Sequence, residues 1–153
     1  MGILIIIGTF VFMEFVAWFA HKYIMHGFLW VLHKDHHVKE NSEQVLEKND
    51  FFFLIFATPS ILLFVSWKYF AMEELFYVAM GIVVYGLAYF FIHEIFIHQR
   101  IKLLRNSNNI YFKAIRRAHK IHHKHITKED GECFGMLFVP LKYFRKTAVQ
   151  QKK

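Results

Sequence analysis

The sequence predicts an all-α integral membrane protein, with about three to four transmembrane helices and a helical cap on the cytoplasmic side. Three observations predict it. Long apolar runs alternate with basic segments, basic residues fall almost wholly on one side of those runs, and the histidines recur in a fixed order at the same ends. The 153 residues are read as a single domain, residues 1–153. Hydrophobic residues make up 56% and aromatics 19%, with 19 Phe. Mean hydropathy is +0.27. Soluble globules are about 45–50% apolar, and the surplus here lies in long runs. Intrinsic disorder, which needs low hydrophobicity, is excluded. Cys133 is the single cysteine, which excludes a disulfide scaffold and any four-thiolate zinc or iron–sulfur site within one chain. A bound metal must then take nitrogen and oxygen ligands.

The first run, residues 3–20, carries one charge, Glu14. The second, residues 51–67, and the third, residues 75–92, carry none. A bilayer core needs about 20 helical residues, with a range of about 17–25, and each run reaches this with its flanks. In lipid the backbone must satisfy its own hydrogen bonds, so the runs are helices. Pro59 lies inside the second, where a kink is expected. The first run lacks a preceding Lys or Arg and exceeds a cleavable signal core, so it reads as a retained span.

The net charge of +7 has a membrane explanation in its distribution, and nucleic acid is not expected as a partner. Lys22, Lys34, Lys39 and Lys48 lie between the first two runs, Lys68 alone between the second and third, and the other 14 basic residues after the third. Three spans place 18 of the 19 on one side, which the positive-inside rule makes cytoplasmic. Residues 68–74 are then a short external turn. Residues 40–50 read as a solvated helix or loop, 105–109 as a loop, 111–125 as an interfacial helix, 135–144 as a short piece packed on the helices or at the interface, and Lys152 and Lys153 as a frayed end.

Ten of the 11 histidines form four clusters. His21 and His26 make H-x4-H, and His33, His36 and His37 make H-x2-H-H. His93 and His98 repeat the first pattern, and His119, His122 and His123 the second. On a helix, i, i+3 and i+4 lie within about 60° of one another, so each H-x2-H-H offers a convergent three-nitrogen face. Residues i and i+5 diverge by about 140° on a regular helix. Either the helix ends or bulges there, or the two histidines reach different metal ions, which suits a two-metal site. The first and third spans run in the same direction, so all four clusters emerge on the cytoplasmic side. One histidine at a membrane boundary is ordinarily a hydrogen-bonded or interfacial residue, and His125 is read that way. Ten in a repeated order point to metal ligands.

A cysteine-free imidazole set suits Fe, Zn, Cu or Ni. Ten imidazoles exceed the needs of one ion, and a structural zinc takes about four ligands. Two irons beside a membrane cavity fit oxygen activation. Bis-His haem does not suit adjacent doublets such as His36–His37. A transporter would place ionisable groups along a path through the bilayer, where only Glu14 lies. Glu14, two helical turns before His21, is either a partner of a histidine N–H or a helix–helix hydrogen-bonding group. Glu94, beside His93, and Asp50, at the start of the second span, are either partners of the histidines or interfacial.

The four histidine clusters in this order resemble the histidine-box membrane oxygenases of the fatty acid hydroxylase/sterol desaturase superfamily. The flanks narrow the resemblance to bacterial β-carotene 3-hydroxylases. They are Met13-Glu14-Phe15 leading to His21-Lys22-Tyr23-Ile24-Met25-His26-Gly27, Tyr85-Gly86-Leu87, His93 through His98-Gln99-Arg100, Ala118-His119-Lys120-Ile121-His122-His123, and Phe134-Gly135-Met136-Leu137 with Pro140. The resemblance runs from about residue 13 to 140. It implies a non-haem site of two Fe ions held by His21, His26, His33, His36, His37, His93, His98, His119, His122 and His123, with zinc as a substitute in purified protein. It further implies O2 as co-substrate, a ferredoxin-type electron donor, and hydroxylation of carotenoid β-ionone rings at C3, converting β-carotene through β-cryptoxanthin to zeaxanthin. The lipophilic carotenoid and membrane lipid are the other expected partners. The expected location is the bacterial inner membrane, with the site on the cytoplasmic side. The basic residues Lys113, Arg116, Arg117, Lys120 and Lys124 suit either an acidic ferredoxin or anionic lipid headgroups. The alternatives are a sterol or fatty-acid oxygenase of the same superfamily, and a membrane metal-binding or transport protein.

Overall fold

The computed structural model describes residues 1–38, 46–104 and 106–145. Residues 40–45 of the polar segment, Arg105, and the Lys152 and Lys153 end therefore lie outside the described residues. Helix α1 (Gly2–Phe19) continues directly into a π-helical segment (Ala20–Phe28), followed by α2 (Trp30–His37). A 3-10 turn (Lys48–Asp50) leads into α3 (Phe51–Phe70). Helix α4 (Glu73–Phe90) continues into a second π-helical segment (Phe91–Ile97), and α5 (Ile110–His122) follows. No strand occurs among the described residues.

Three helical stretches, Gly2–Phe28, Lys48–Phe70 and Glu73–Ile97, are long and apolar enough to cross a membrane, the first leaving helical geometry at Gly27 near its end (φ −113°, ψ −123°). The first and third outrun their apolar sequences because the π segments extend them into the histidines. The outward side of α1 has no protein cover: Ile3, Leu4, Ile7, Val11, Phe12 and Phe15 each expose more than half of their surface. Soluble monomers rarely show so large a patch, whereas lipid covers it without cost.

Helices α1 and α4 run parallel. Gly2 meets Tyr77, Thr9 meets Gly81, and Glu14 meets Tyr85, so the register advances in step. A Cβ on Gly81 would stand 2.5 Å from Thr9 Cβ and 2.9 Å from the Ile6 carbonyl. Only glycine allows this approach, the usual way for helices to pack in lipid. Helix α3 returns antiparallel, with Phe53 on Phe90 at one end and Phe64 on Phe76 at the other. The connection is short because Ala71 adopts a left-handed conformation (φ 52°) and ends α3. Helix α3 passes through Pro59 as one helix. Thr58 Oγ1 donates to the Leu54 carbonyl and Ser60 Oγ to the Ala57 carbonyl around it.

The cap is built on the ends of α1 and α4. Helix α5 is amphipathic and buries Ala114, Ile115, Ala118, His119 and His122. Asn109 caps it, its Oδ1 accepting from the amides of Tyr111 and Phe112. Arg116, on the basic face, turns inward: its guanidinium lies 4.0 Å from the Phe96 ring centroid and donates to the Phe96 carbonyl. It supports the second π segment. The C-terminal piece packs on the helices, burying Phe134, Met136 and Tyr143.

Glu14 organises this packing. Its Oε1 accepts from the amides of Met136 (2.9 Å), Leu137 (2.8 Å) and Phe138 (3.0 Å), and its Oε2 from the Tyr85 hydroxyl (2.7 Å). No histidine touches it in these bonds, so of the two sequence readings the structural one holds. The carboxylate ties α1, α4 and the C-terminal piece together. Glu14→Ala would orphan several buried donors at about 1–3 kcal/mol each. The expected outcome is a loss of roughly 3 kcal/mol or more, read as an earlier denaturation midpoint in detergent, with faster proteolysis near residue 136. An unchanged midpoint would contradict the tether.

Candidate metal centre

The two π segments carry the H-x4-H pairs. In a π turn the hydrogen bond runs from i+5 back to i, and the His98 amide indeed donates to the His93 carbonyl at 2.9 Å. Residues five apart then lie one turn apart on one face. The bulge is therefore the alternative that the backbone takes, and each pair gathers in one cluster rather than dividing between two. His21 and His26 share one cluster, and His93 and His98 share the other.

The H-x2-H-H triplets behave otherwise than expected. They do not present convergent three-nitrogen faces but divide between the clusters. The first cluster contains His21, His26, His33, His37 and His122, and the second contains His36, His93, His98 and His119. Within each, one ligand atom per residue lies within 4.8 Å of the others. His123 stands outside both sets by this measure, yet its Nε2 is 2.8 Å from His119 Nε2. The physical reason is that α2 and α5 lie between the clusters. Positions i and i+4 of α2 face its own H-x4-H pair, while i+3, His36, faces the opposite one. Helix α5 does the same with His119 and His122, so the two halves exchange one histidine each.

The proton positions follow from fixed acceptors. His21 Nδ1 donates to the Phe134 carbonyl (2.9 Å), His26 Nδ1 to the Ile126 carbonyl (2.8 Å), and His122 Nδ1 to the Glu132 carbonyl (3.1 Å). His33 Nδ1 donates to Asn49 Oδ1 (2.6 Å), His36 Nδ1 to Glu47 Oε2 (3.0 Å), and His93 Nδ1 to Glu94 Oε1 (2.5 Å). Carbonyl oxygens only accept, so in the neutral ring Nε2 carries a lone pair. Burial, against the opposing Asn49 bond, holds His33 down at about 3. Burial, and then the unfavourable proximity of His26 to a second positive ring, hold His122 at about 3. Burial and neighbouring imidazoles hold His36, His37 and His119 well below the usual range. These rings are neutral at pH 7.

Lone pairs therefore confront one another. His21 Nε2 is 3.1 Å from His33 Nε2, and His26 Nε2 is 3.2 Å from His122 Nε2, with both Nδ1 protons of each pair committed elsewhere. This is repulsive unless a cation is shared. Nitrogens bound at about 2.0–2.1 Å to one metal stand about 3 Å apart at right angles, which these spacings match. In the second cluster, His36 Nε2 and His93 Nε2 are buried without a hydrogen-bond partner among the described residues. The donor set fits two nitrogen-ligated metal ions.

Among the outer partners, Glu94 was a candidate in the sequence, whereas Glu47, Asn49 and the backbone carbonyls were missed. Residues 46–50 are not merely solvated: Glu47, Asn49 and Asp50 face inward, and Asn49 is 5% exposed. Glu94 accepts from His93, as the partner reading expects, whereas Asp50 accepts from Arg100 and the Glu47 amide, and Arg100 bridges Glu94, Glu47 and Asp50. Acidic and amide side chains just before an apolar run were the available signal. The carbonyls of residues 126, 132 and 134 leave no side-chain signal at all. Cys133 lies between two of them in a left-handed conformation (φ 62°). His125 is exposed and outside both clusters.

A cavity of about 400 Å³ lies among α1, α3 and α4. Met13, Ala17, Phe52, Phe56, Ile82 and Tyr89 line it, and it reaches Asn49 and Glu94, the partners of His33 and His93. An apolar chamber inside the helical bundle thus reaches the outer partner of one histidine in each cluster.

Comparisons with known proteins agree with this architecture. The family model described as fatty acid hydroxylase matches residues 6–147. The chain is 36% identical over 138 residues to a beta-carotene hydroxylase of Paracoccus sp. (strain PC1), covering 90% of this chain and 83% of that protein. It is 38% identical over 137 residues to a beta-carotene hydroxylase of Pantoea ananas, covering 90% and 77%. A chloroplastic beta-carotene 3-hydroxylase of Gentiana lutea is 34% identical over 138 residues, covering 88% of this chain and 42% of that longer protein. No solved structure matches the chain significantly. A match to the family model over almost the whole chain, with such relatives, makes the chain a member of the fatty acid hydroxylase family.

Proposed function

We propose that this chain hydroxylates carotenoid β-ionone rings at C3, converting β-carotene to β-cryptoxanthin and then zeaxanthin. The observation that carries the reading is an apolar cavity among the long helices that reaches Asn49 and Glu94, the outer partners of His33 and His93 in two clusters of imidazoles. The names of the relatives supply the substrate class. The overall change is R–H + O2 + 2e⁻ + 2H⁺ → R–OH + H2O, with the electrons from a ferredoxin-type donor on the cytoplasmic side of the bacterial inner membrane.

His21, His26, His33, His37 and His122 would hold one iron, and His36, His93, His98 and His119, with His123 beside them, the other. Bound iron supplies the redox chemistry that O2 reduction and C–H oxidation require. The chain's own residues do the rest. Outward Nδ1–H bonds fix each ring's tautomer and aim, as in other metal sites. Phe52, Phe56 and Tyr89 give the cavity a dry wall on which a cyclohexenyl ring can pack. That wall excludes bulk water from the reacting end. The exposed Lys120 and Lys124 lie on the same end of the bundle as the clusters, where a soluble donor has access.

Three outcomes are expected. Replacing His36 or His122 by Ala should abolish hydroxylation in cells accumulating β-carotene and lower metal content, while membrane insertion persists; His125→Ala should be milder. Wild-type pigment conversion in both box variants would refute the ligand assignment, and sterol or fatty-acid products would move the substrate to the wider superfamily. A reporter after Lys153 should read cytoplasmic and one within residues 68–74 external, whereas a same-side result would undo the shared metal face. Zinc outcompetes ferrous iron at nitrogen sites but has no accessible redox change. Zinc-filled protein should therefore be folded and inactive, and iron with a reductant and O2 should restore turnover, with two ions per chain at full occupancy. Equal turnover in iron-free zinc protein would defeat the mechanism.

A further inference from the structure

We propose that Arg100 is a positioning residue for the second cluster alone, a clasp that aims two of its histidines through their carboxylate partners. The proposal rests on reading the two clusters as metal sites. The clusters differ in what surrounds them. In the first, the acceptors for Nδ1 of His21, His26, His33 and His122 are three carbonyls and an amide, all neutral. In the second, His36 and His93 donate to the carboxylates of Glu47 and Glu94.

Arg100 joins these two carboxylates. Its Nε is 2.7 Å from Glu94 Oε2, and its Nη2 is 3.3 Å from Glu47 Oε2. Asp50 completes the fork, with Oδ1 2.8 Å from Nη2 and Oδ2 3.1 Å from Nη1. The backbone is shaped for this. Gln99 takes a left-handed conformation (φ 58°), its amide side chain donates to the Phe96 carbonyl at 2.9 Å, and the Arg100 amide donates to the Glu94 carbonyl at 3.0 Å. The chain thus reverses after His98 and returns the guanidinium across the end of the second π segment. There it meets residues 47–50, which belong to the entry of α3.

The chemistry explains why an arginine stands there. Glu94 is 1% exposed, and a buried carboxylate needs a paired charge. A rigid planar fork with separate donors can satisfy three carboxylates at once, which a lysine ammonium cannot do with the same geometry. Glu94 so held points its other oxygen at His93 Nδ1, and Glu47 shares its Oε2 between the guanidinium and His36 Nδ1, which fixes the direction of each opposite Nε2. Loss of the fork takes the guanidinium from Glu47 and Glu94 and so loosens the aim of His36 and His93. No histidine of the first cluster bonds to the three carboxylates in these contacts; its neighbour on the same turn, Asn49, accepts from His33 and makes none of these bonds to Arg100.

The test uses the full chain purified in detergent and loaded with iron or zinc, with ions per chain measured before and after a chelator challenge. Wild type should hold two ions. Arg100→Ala should hold one, because loss of outer partners costs roughly 10–100-fold in metal affinity. Arg100→Ala with His36→Ala should hold the same one, since both act on the second cluster. Arg100→Ala with His122→Ala should hold none. Arg100→Lys should recover part of the second ion, and Glu47→Gln, which keeps the shape of the clasp, should weaken it in the same direction if the arginine variant folds poorly. Two ions retained by Arg100→Ala, loss of both ions from it alone, or one ion surviving in the His122 double variant would each overturn the clasp. A wild type that never holds two ions would instead overturn the metal reading beneath it.

Discussion

The outward Nδ1–H hydrogen bond is the interaction on which the rest of the structure depends. An imidazole has two nitrogens, and fixing the proton on one commits the other as a donor atom for a metal. Six of the cluster histidines make this bond to acceptors that the fold itself supplies. The cost is plain: Nε2 lone pairs stand about 3 Å apart in a buried space, as at His21 and His33. A chain pays such repulsion back only when the nitrogens share a cation. Because ligands so arranged exist only in the folded chain, metal binding and folding of the cap are coupled.

The exchange of His36 and His122 between the halves follows from helix periodicity. A helix between two clusters offers i and i+4 to one side and i+3 towards the other. Each half thus completes its partner's cluster, and neither H-x4-H span can leave without dismantling both. The exchange also fixes the relative height of α1 and α4, which Gly81 sets from within the membrane by permitting their close approach.

Much of this was legible in the sequence. The three apolar runs are the three spans, and the ten repeated histidines gather at one end, because hydropathy and periodicity act over long stretches that composition reveals. The finer geometry was not. A π turn has no residue signature that separates H-x4-H on a bulge from H-x4-H on a regular helix, so the choice stayed open at His21 and His93. Regular helical angles made each triplet look convergent, and only the tertiary placement of α2 and α5 divides it. Phe134 and Glu132 act through carbonyls, which any residue carries. Glu47 and Asn49 looked solvated because the segment is polar, yet it is polar on account of the histidines it faces.

Glu14 shows how the membrane and the metal centre are joined. A carboxylate within a span is costly unless protein groups replace water, and here three successive amides and a tyrosine hydroxyl do so. Gly135 stands at the first step of this grip, where a Cβ would lie 3.0 Å from Glu14 Oε1 and press on it. One residue earlier, the Phe134 carbonyl receives the His21 proton, and its ring packs on His21, His26 and His122. The grip on residues 136–138 therefore sets where the Phe134 carbonyl stands. The first cluster takes its aim from a charge about two helical turns down the same helix that carries His21, and a polar group buried in the bilayer becomes part of the apparatus that orients the imidazoles above it.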